Sequence, residues 1–547
     1  MKTNMVILIS QAGFGFFDQE VMGLMNTDGE KEVAASFSRC FDVTLHNQQK
    51  GILMTPDIVN YFRNSRRIVE LNHENLDQNL SVYNYQPLNG IYLLDFLTKK
   101  GFAVELIRHF DFEPVYRLKG LLENGPLAII ISTTFILSPL TIKRIGSFIR
   151  KHNKEVPIIL GGQLLIAMKN EPSVSIPLIA SMLKGVIDIF IFEHQGELAL
   201  FKVLKYLQEG GDLKDVANIA YFDNGALVFT QEKPESNGLD ANLISWDQIG
   251  EKYLDKIACI QTSRGCPFKC AYCAYGKIEG KTELKSIECL KAELKALSQR
   301  SVVKNIIFID DTFGLTEKRL VAICEMMDSQ SFGLNWWAQT RASIITKKTG
   351  QLMKKSGCKA ISLGIESGDR GILTNMKKDI FPDDIMKAVG ILHDNEILVH
   401  GHFLIGFPGE TERSINNTIS FINESGVDFY THYVFYYYHQ AAVFDERRRY
   451  KLEGAGWNWK HATMDSKEAA QWSGYCYKSI ESNFVKGSDE IMVLYDAGYN
   501  LETIKRICCI KNELVNLSFE NGCLKQEQEA CRHQLLSEFE QLSKHSD

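Results

Sequence analysis

The sequence predicts an α/β protein: two strand–helix domains in series, then a mainly helical C-terminal region. Three observations carry that expectation. Short apolar runs alternate with helical stretches from about residue 87 to residue 230, and the alternation resumes after residue 256 for six repeats. Directly after the first strand of the second series, Cys266, Cys270 and Cys273 share one loop with the spacing C-x3-C-x2-C. Strands that read as continuous apolar runs between helices suit a parallel sheet covered on both faces. Residues 1–231 are therefore expected to hold a doubly wound parallel sheet and 232–255, polar with Pro234 and Gly238, a linker. Residues 256–440 should form a partial (β/α)6 barrel of the TIM type, and 441–547 a helical cap over the barrel mouth that also meets the substrate. A chain of 547 residues accommodates such an organisation at ~150 residues per domain.

In the first series, strands are expected at 5–9, 102–107, 127–132, 156–160 and 186–192, with helices at 88–100, 115–123, 140–152 and 197–209. Residues 18–85 are polar and weakly periodic and receive no assignment. Ligands of doubly wound sheets bind beyond the carboxyl ends of the strands. Those ends carry Ser132-Thr133-Thr134, then Gly161-Gly162-Gln163, then Glu193 through Glu197. In the second series, strands are expected at 257–262, 305–310, 334–339, 360–365, 398–405 and 429–436, with helices at 283–300, 318–327, 347–356, 383–395 and 414–424. Barrel chemistry sits on the loops after the strands. These read Asp310-Asp311-Thr312-Phe313, Gln339-Thr340-Arg341-Ala342, Gly364-Ile365-Glu366-Ser367-Gly368 and Gly406-Phe407-Pro408-Gly409-Glu410-Thr411. The last is also an ordinary turn with a helix cap at Thr411.

Composition excludes several classes. A net charge of -6 gives no reason to expect nucleic acid or an anionic membrane as partner. No stretch approaches the ~18 apolar residues of a membrane span, and the apolar run near the start is too short for a signal segment. Thirteen Cys without such a signal point to a reducing cytoplasm. The Cys508-Cys509 pair reads more readily as core thiols than as a redox pair. Structural zinc wants four ligands in close pairs, and no second C-x2-C or H-x3–5-H appears. Three thiolates on one loop can instead hold three irons of a 4Fe–4S cluster, leaving the fourth open to a substrate or cofactor. After residue 430, a run of aromatics precedes Arg447-Arg448-Arg449 and Trp457-Asn458-Trp459. It suits either a substrate cavity that meets an anion or an aromatic core with a solvated basic turn.

The cysteine loop, with Tyr272 before its last Cys, resembles the signature of the radical S-adenosylmethionine (radical SAM) superfamily. With the barrel loops in this order, and the Ser-Thr-Thr, Gly-Gly and Gln-Gly-Glu loops upstream, residues 87–440 resemble the cobalamin-dependent members. The resemblance implies a 4Fe–4S cluster on Cys266, Cys270 and Cys273, with S-adenosylmethionine at the open iron. It implies contacts to that cofactor from Tyr272, Asp310, Asp311, Arg341, Glu366 and Ser367. Here Asp310-Asp311-Thr312 stands where many members have Gly-Gly-Glu. For cobalamin, it implies Ser132, Thr133, Thr134, Gly161, Gly162 and Glu193. The Asp-x-His-x-x-Gly motif that supplies a lower-face histidine elsewhere is absent, and His194 more readily packs than ligates. The implied activity is methylation of an unactivated carbon, or phosphorus, by way of a 5′-deoxyadenosyl radical and methylcobalamin. A small-molecule or peptide substrate and an electron donor such as flavodoxin or ferredoxin would be the partners. The rivals are non-methylating radical chemistry (cyclisation, oxidation or epimerisation) with a repurposed or vestigial cobalamin domain, and a cluster- and corrinoid-binding carrier without turnover.

Overall fold

The computed structural model describes residues 4–12, 42–45, 50–52, 54–67, 78–81, 83, 85, 87–136, 138–170, 176–275, 281–485, 487–518 and 526–544. Cys40, Cys523 and much of the unassigned 18–85 segment lie outside them.

The first domain is a seven-stranded sheet. Its strands are β1 (Met5–Gln11), β2 (Ala103–Ile107), β3 (Ala128–Phe135), β4 (Ile158–Gly161), β5 (Ile189–Ile191), β6 (Ile219–Asp223) and β7 (Ala226–Phe229). Their order is β2-β1-β3-β4-β5-β6-β7. The first five run parallel, as the apolar runs predict. β6 and β7 add an antiparallel edge, a hairpin that falls outside the strand–helix alternation and was not expected. Ile7, Ile9, Ile129 and Ile131 point into one core, Val6, Leu8 and Ile130 into the other. That split is the two-sided burial expected of a doubly wound sheet.

The second sheet has the order β8-β9-β10-β11-β12-β13-β14, all parallel. Its strands are β8 (Ile257–Ile260), β9 (Asn305–Phe308), β10 (Asn335–Thr340), β11 (Cys358–Glu366), β12 (Leu398–Ile405), β13 (Phe429–Val434) and β14 (Asn483–Phe484). The six expected strands are present, and β14 extends the open barrel by a two-residue seventh.

Residues 232–255 are packed rather than loose. Trp246, Ile249 and Tyr253 are buried in the core that runs through both domains. The Tyr253 hydroxyl accepts from Leu106 N at 3.2 Å, and Arg108 pairs with Asp255.

The C-terminal region divides between the two ends of the barrel, which corrects the expectation of a helical cap over the mouth. Trp459 Nε1 donates to Phe435 O at 2.7 Å, and His461 Nε2 lies 3.1 Å from Gly406 O. A small antiparallel sheet around residues 453–465 therefore covers the mouth beside β12 and β13. The helix α1 (Ser488–Asp496) lies at the opposite end. Its Asp496 accepts from Asn305 Nδ2 at 2.9 Å and pairs with Lys256, both where β8 and β9 begin, and Tyr495 packs edge-on to Trp337 at 5.3 Å. The apolar faces of the last helices are spent there and against the helix Thr55–Arg63, where Phe62 meets Phe539.

Candidate radical SAM site

The cluster loop is built from its entry upward. β8 ends at Ile260, and Asp310, just beyond β9, takes Thr262 and Ser263 in hand. Its Oδ1 accepts from Thr262 N at 3.0 Å, Thr262 Oγ1 at 3.0 Å and Ser263 Oγ at 2.6 Å. Burial pushes the Asp310 carboxyl up to about 6, opposed by those hydrogen bonds. Its Oδ2 is buried with no partner. Arg319 donates to Thr262 O at 3.0 Å and Lys285 O at 2.7 Å, fixing the other side of the same turn. The chain then turns at Gly265, φ +76°, into Cys266.

Arg341, after β10, holds the middle of the loop. One guanidinium nitrogen stands 3.5 Å from Cys270 Sγ, the plane covers the Phe268 ring at 4.0 Å, and another nitrogen donates to Lys378 O. Its Nε is buried and unpartnered. Thr312 Oγ1 lies 3.5 Å from Cys266 Sγ. Ala271 donates to Met376 O and accepts from Val443 N, each at 2.8 Å. Burial pushes the Cys273 thiol up to about 11, and nearby Cys270, Cys266 and Asp311 push the same way. A metal must therefore displace a proton from Cys273. Among the described residues, no three His, Cys, Asp or Glu side chains converge as around one ion. The thiolates of a cubane sit on separate irons and stand further apart. A half-buried three-thiol loop beside a guanidinium, ringed by the orphaned Asp310 Oδ2 and Arg341 Nε, fits a cluster with a polar ligand next to it.

Tyr272 and Glu366 meet each other beside the cluster loop. The Tyr272 hydroxyl donates to Glu366 Oε1 at 2.6 Å, and Lys378 Nζ donates to the same oxygen at 2.9 Å and to the hydroxyl at 3.1 Å. Burial first, then Glu366, holds the Tyr272 phenol well above its ordinary range. Glu366 adopts φ +73°, a left-handed conformation unusual for this residue. Gly364 leaves room for it, since a Cβ there would stand 2.9 Å from Glu366 Oε1. Ser367 is not brought into the site: fully buried, its hydroxyl meets Thr418 Oγ1 at 3.0 Å and accepts from Asp369 N at 3.1 Å.

The rim of the first domain gathers the upstream residues. Thr133 is fully buried and donates to Gly161 O at 3.0 Å. Ser132 accepts from Asn89 Nδ2 at 3.1 Å and lies 3.4 Å from Thr134 Oγ1. Gly162, φ +113°, turns so tightly that a Cβ would reach Thr133 N at 2.9 Å. Glu193 Oε1 accepts from His194 N at 3.0 Å, and His194 Nδ1 lies 3.3 Å from Gln163 Nε2. The rim leaves Asn89 Oδ1 buried without a partner and Phe135 47% exposed. A glycine turn, small hydroxyls, an orphaned carbonyl and an open apolar ring fit a large flat ligand with polar appendages.

Sequence reasoning missed the residues that join the two halves. Arg264, in the cluster loop, donates to Asn237 O at 3.0 Å. Asn237 Nδ2 donates to Glu197 Oε2 and to Gln195 O, both at 2.7 Å. Glu235 accepts from Leu198 N at 2.9 Å and Ala199 N at 2.8 Å, capping the helix that begins at Glu197. Asn237 and Glu235 fall in the segment read as a linker, where no periodicity marks them. Lys378 was likewise invisible, being one lysine in a charged stretch.

Residues 260–422 match the family described as the Radical SAM superfamily. An uncharacterised methyltransferase of Pyrococcus horikoshii is 28% identical over 353 residues, 63% of this chain and 74% of its own. An anaerobic magnesium-protoporphyrin IX monomethyl ester cyclase of Rubrivivax gelatinosus is 24% identical over 278 residues, 49% of this chain and 48% of its own. A bacteriochlorophyllide d C-12(1)-methyltransferase of Chlorobaculum tepidum is 29% identical over 184 residues, 33% of this chain and 40% of its own. The chain thus spans about three quarters of the first and less than half of the other two. Among solved structures, the radical SAM methyltransferase TsrM of Kitasatospora setae, with cobalamin and a 4Fe–4S cluster bound, superposes with TM-score 0.58 at 12% identity, covering 99% of this chain and 100% of that one. The cobalamin-dependent enzyme OxsB, with aqua-cobalamin bound, does so with TM-score 0.58 at 14% identity, covering 99% and 76%.

Residues 260–422, the barrel, are a radical SAM domain. The whole-chain fold is that of cobalamin-dependent members of the superfamily. A radical SAM domain implies a 4Fe–4S cluster and S-adenosylmethionine as cofactors.

Proposed function

We propose that the chain is a cobalamin-dependent radical SAM methyltransferase acting on an unactivated carbon, or a phosphorus, of a small-molecule or peptide substrate. The observation that carries this reading is the Arg264–Asn237–Glu197 connection. It ties the cluster loop to the Glu193–Glu197 loop at the end of the first sheet, so that the two strand-end edges share one frame. The methyltransferase names of two relatives support the same direction. When bound, the cofactors supply a substrate radical and a methyl group, chemistry no side chain can perform. The protein's own part is to hold and to exclude water. Cys266, Cys270 and Cys273 hold the cluster, and Arg341 sets a fixed positive charge beside Cys270. Tyr272, Glu366 and Lys378 form a rigid polar wall, and Thr134, Gly161 and Gly162 receive the corrinoid. A flavodoxin- or ferredoxin-like donor would supply electrons in a reducing compartment. No helix among the described residues is long and apolar enough to cross a membrane.

The test is product analysis on anaerobically reconstituted protein with S-adenosylmethionine and a reductant. 5′-Deoxyadenosine is expected from the intact protein and not from a Cys266→Ala/Cys270→Ala/Cys273→Ala variant. S-adenosylhomocysteine is expected only after corrinoid loading. 5′-Deoxyadenosine without S-adenosylhomocysteine would replace methylation with a non-methylating radical reaction.

A further inference from the structure

The helix Arg370–Asn375 ends beside the cluster loop, where Met376 O accepts from Ala271 N at 2.8 Å. It closes at Lys377 in the left-handed region, φ +54°, a turn that glycine usually makes. Asp379 follows at φ +51°. Between these two exposed residues the chain sends Lys378 inward, where it is 4% exposed. One residue thus joins three segments. Its carbonyl accepts from Arg341, whose guanidinium stands 3.5 Å from Cys270 Sγ. Its ammonium donates to the Tyr272 hydroxyl at 3.1 Å and to Glu366 Oε1 at 2.9 Å.

Glu366 arrives from the other side on an irregular strand end. The register of β11 against β12 shifts between Gly364 and Glu366, and Glu366 stands at φ +73°. Such a bulge re-aims a side chain, and bulges gather next to active sites. Tyr272 and Lys378 both donate to Oε1, so Oε2 keeps its lone pairs for a ligand. A buried ion pair is a poor device for stability, because desolvating two charges offsets most of their attraction. Holding one orientation of a side chain is the use that remains.

On the reading of the cluster loop as the seat of S-adenosylmethionine, we propose that Lys378 is a positioning residue for that cofactor. Its ammonium fixes the direction of the Glu366 carboxylate, so that Oε2 meets a donor group of the cofactor. Lys378 itself makes no contact with the cofactor.

The test is equilibrium dialysis of S-adenosylmethionine against cluster-reconstituted protein without reductant, so that no turnover intervenes, with binding counted per cluster. Lys378→Met is expected to weaken binding about 10–100-fold, the range for losing a group that orients a ligand-holding side chain. Lys378→Arg, which keeps the charge, should lose less. Gly364→Ala keeps both charges and moves the carboxylate instead, since a Cβ there would stand 2.9 Å from Glu366 Oε1 and 3.1 Å from Lys378 Nζ. It should weaken binding as well. Lys378→Met/Glu366→Gln should bind no more weakly than Glu366→Gln alone, because a residue acting through another adds nothing once that other is changed. Equal binding by the parent and Lys378→Met would make the ion pair purely structural and overturn the proposal. Losses that multiply in the double variant would overturn it too, by giving Lys378 a contact of its own. A parent that does not bind at all would overturn the reading of the loop along with the proposal, and so is told apart from both.

Discussion

At the residue scale, the buried pair of Lys378 and Glu366 makes the site sensitive to the loss of either charge. Their side chains are 5% and 12% exposed. Removing the lysine leaves a largely buried carboxylate with the Tyr272 hydroxyl but no countercharge, at a cost of roughly 3–5 kcal/mol. Lys378→Met should therefore lower the denaturation midpoint strongly, and Lys378→Met/Glu366→Gln should recover most of the loss. Glu410 gives a prediction with a pH sign. Burial pushes its carboxyl up to about 8, against the hydrogen bond it accepts from Gly406 N. A folded value above the unfolded one means stability is fully present below the ordinary carboxylate range and is lost as pH rises towards 8. The slope is at most ~1.4 kcal/mol per pH unit. Glu410→Gln should flatten this decline, so melting temperatures at pH 6 and pH 8 should differ less than in the parent. What was legible at this scale was chemistry with a fixed spacing. The three Cys and their preceding Tyr272 are local in sequence, whereas Lys378 and Arg264 act through partners a dozen or more residues away.

At the scale of elements, strongly apolar strands were read nearly to the residue. The expected strand at 398–405 is the observed β12, and 429–436 shortens only to Phe429–Val434. The antiparallel pair β6 and β7 was missed although each holds a short apolar run, because the two form a hairpin outside the strand–helix alternation. Residues 441–547 were expected as a helical cap over the mouth, but the helix α1 lies at the opposite end of the barrel. Helical periodicity tells which face is buried and not what buries it, and here Asp496 finds Lys256 and Asn305 at the strand starts. The turn after β4 carries its own prediction. Gly162→Ala places a Cβ 2.9 Å from Thr133 N in a backbone of φ +113°, a strain of about 1–3 kcal/mol. The variant should melt lower and retain less corrinoid after desalting, with its iron–sulfur absorption unchanged.

At the scale of the molecule, the two α/β domains share one apolar core through Trp246 and Tyr253, and Arg264 links their ligand edges. Arg264→Ala should raise hydrogen exchange at residues 195–199 and in the cluster loop together, while the distant strand β1 stays protected. Exchange confined to the loop would show that Arg264 does not couple the domains. The central claim is that the first domain is a working corrinoid site beside a radical SAM cluster. It is tested most directly by the absorption spectrum of anaerobically reconstituted protein loaded with hydroxocobalamin and then desalted. The account predicts a near-stoichiometric corrinoid band eluting with the iron–sulfur shoulder. A protein that keeps its cluster and releases all of the corrinoid would contradict it.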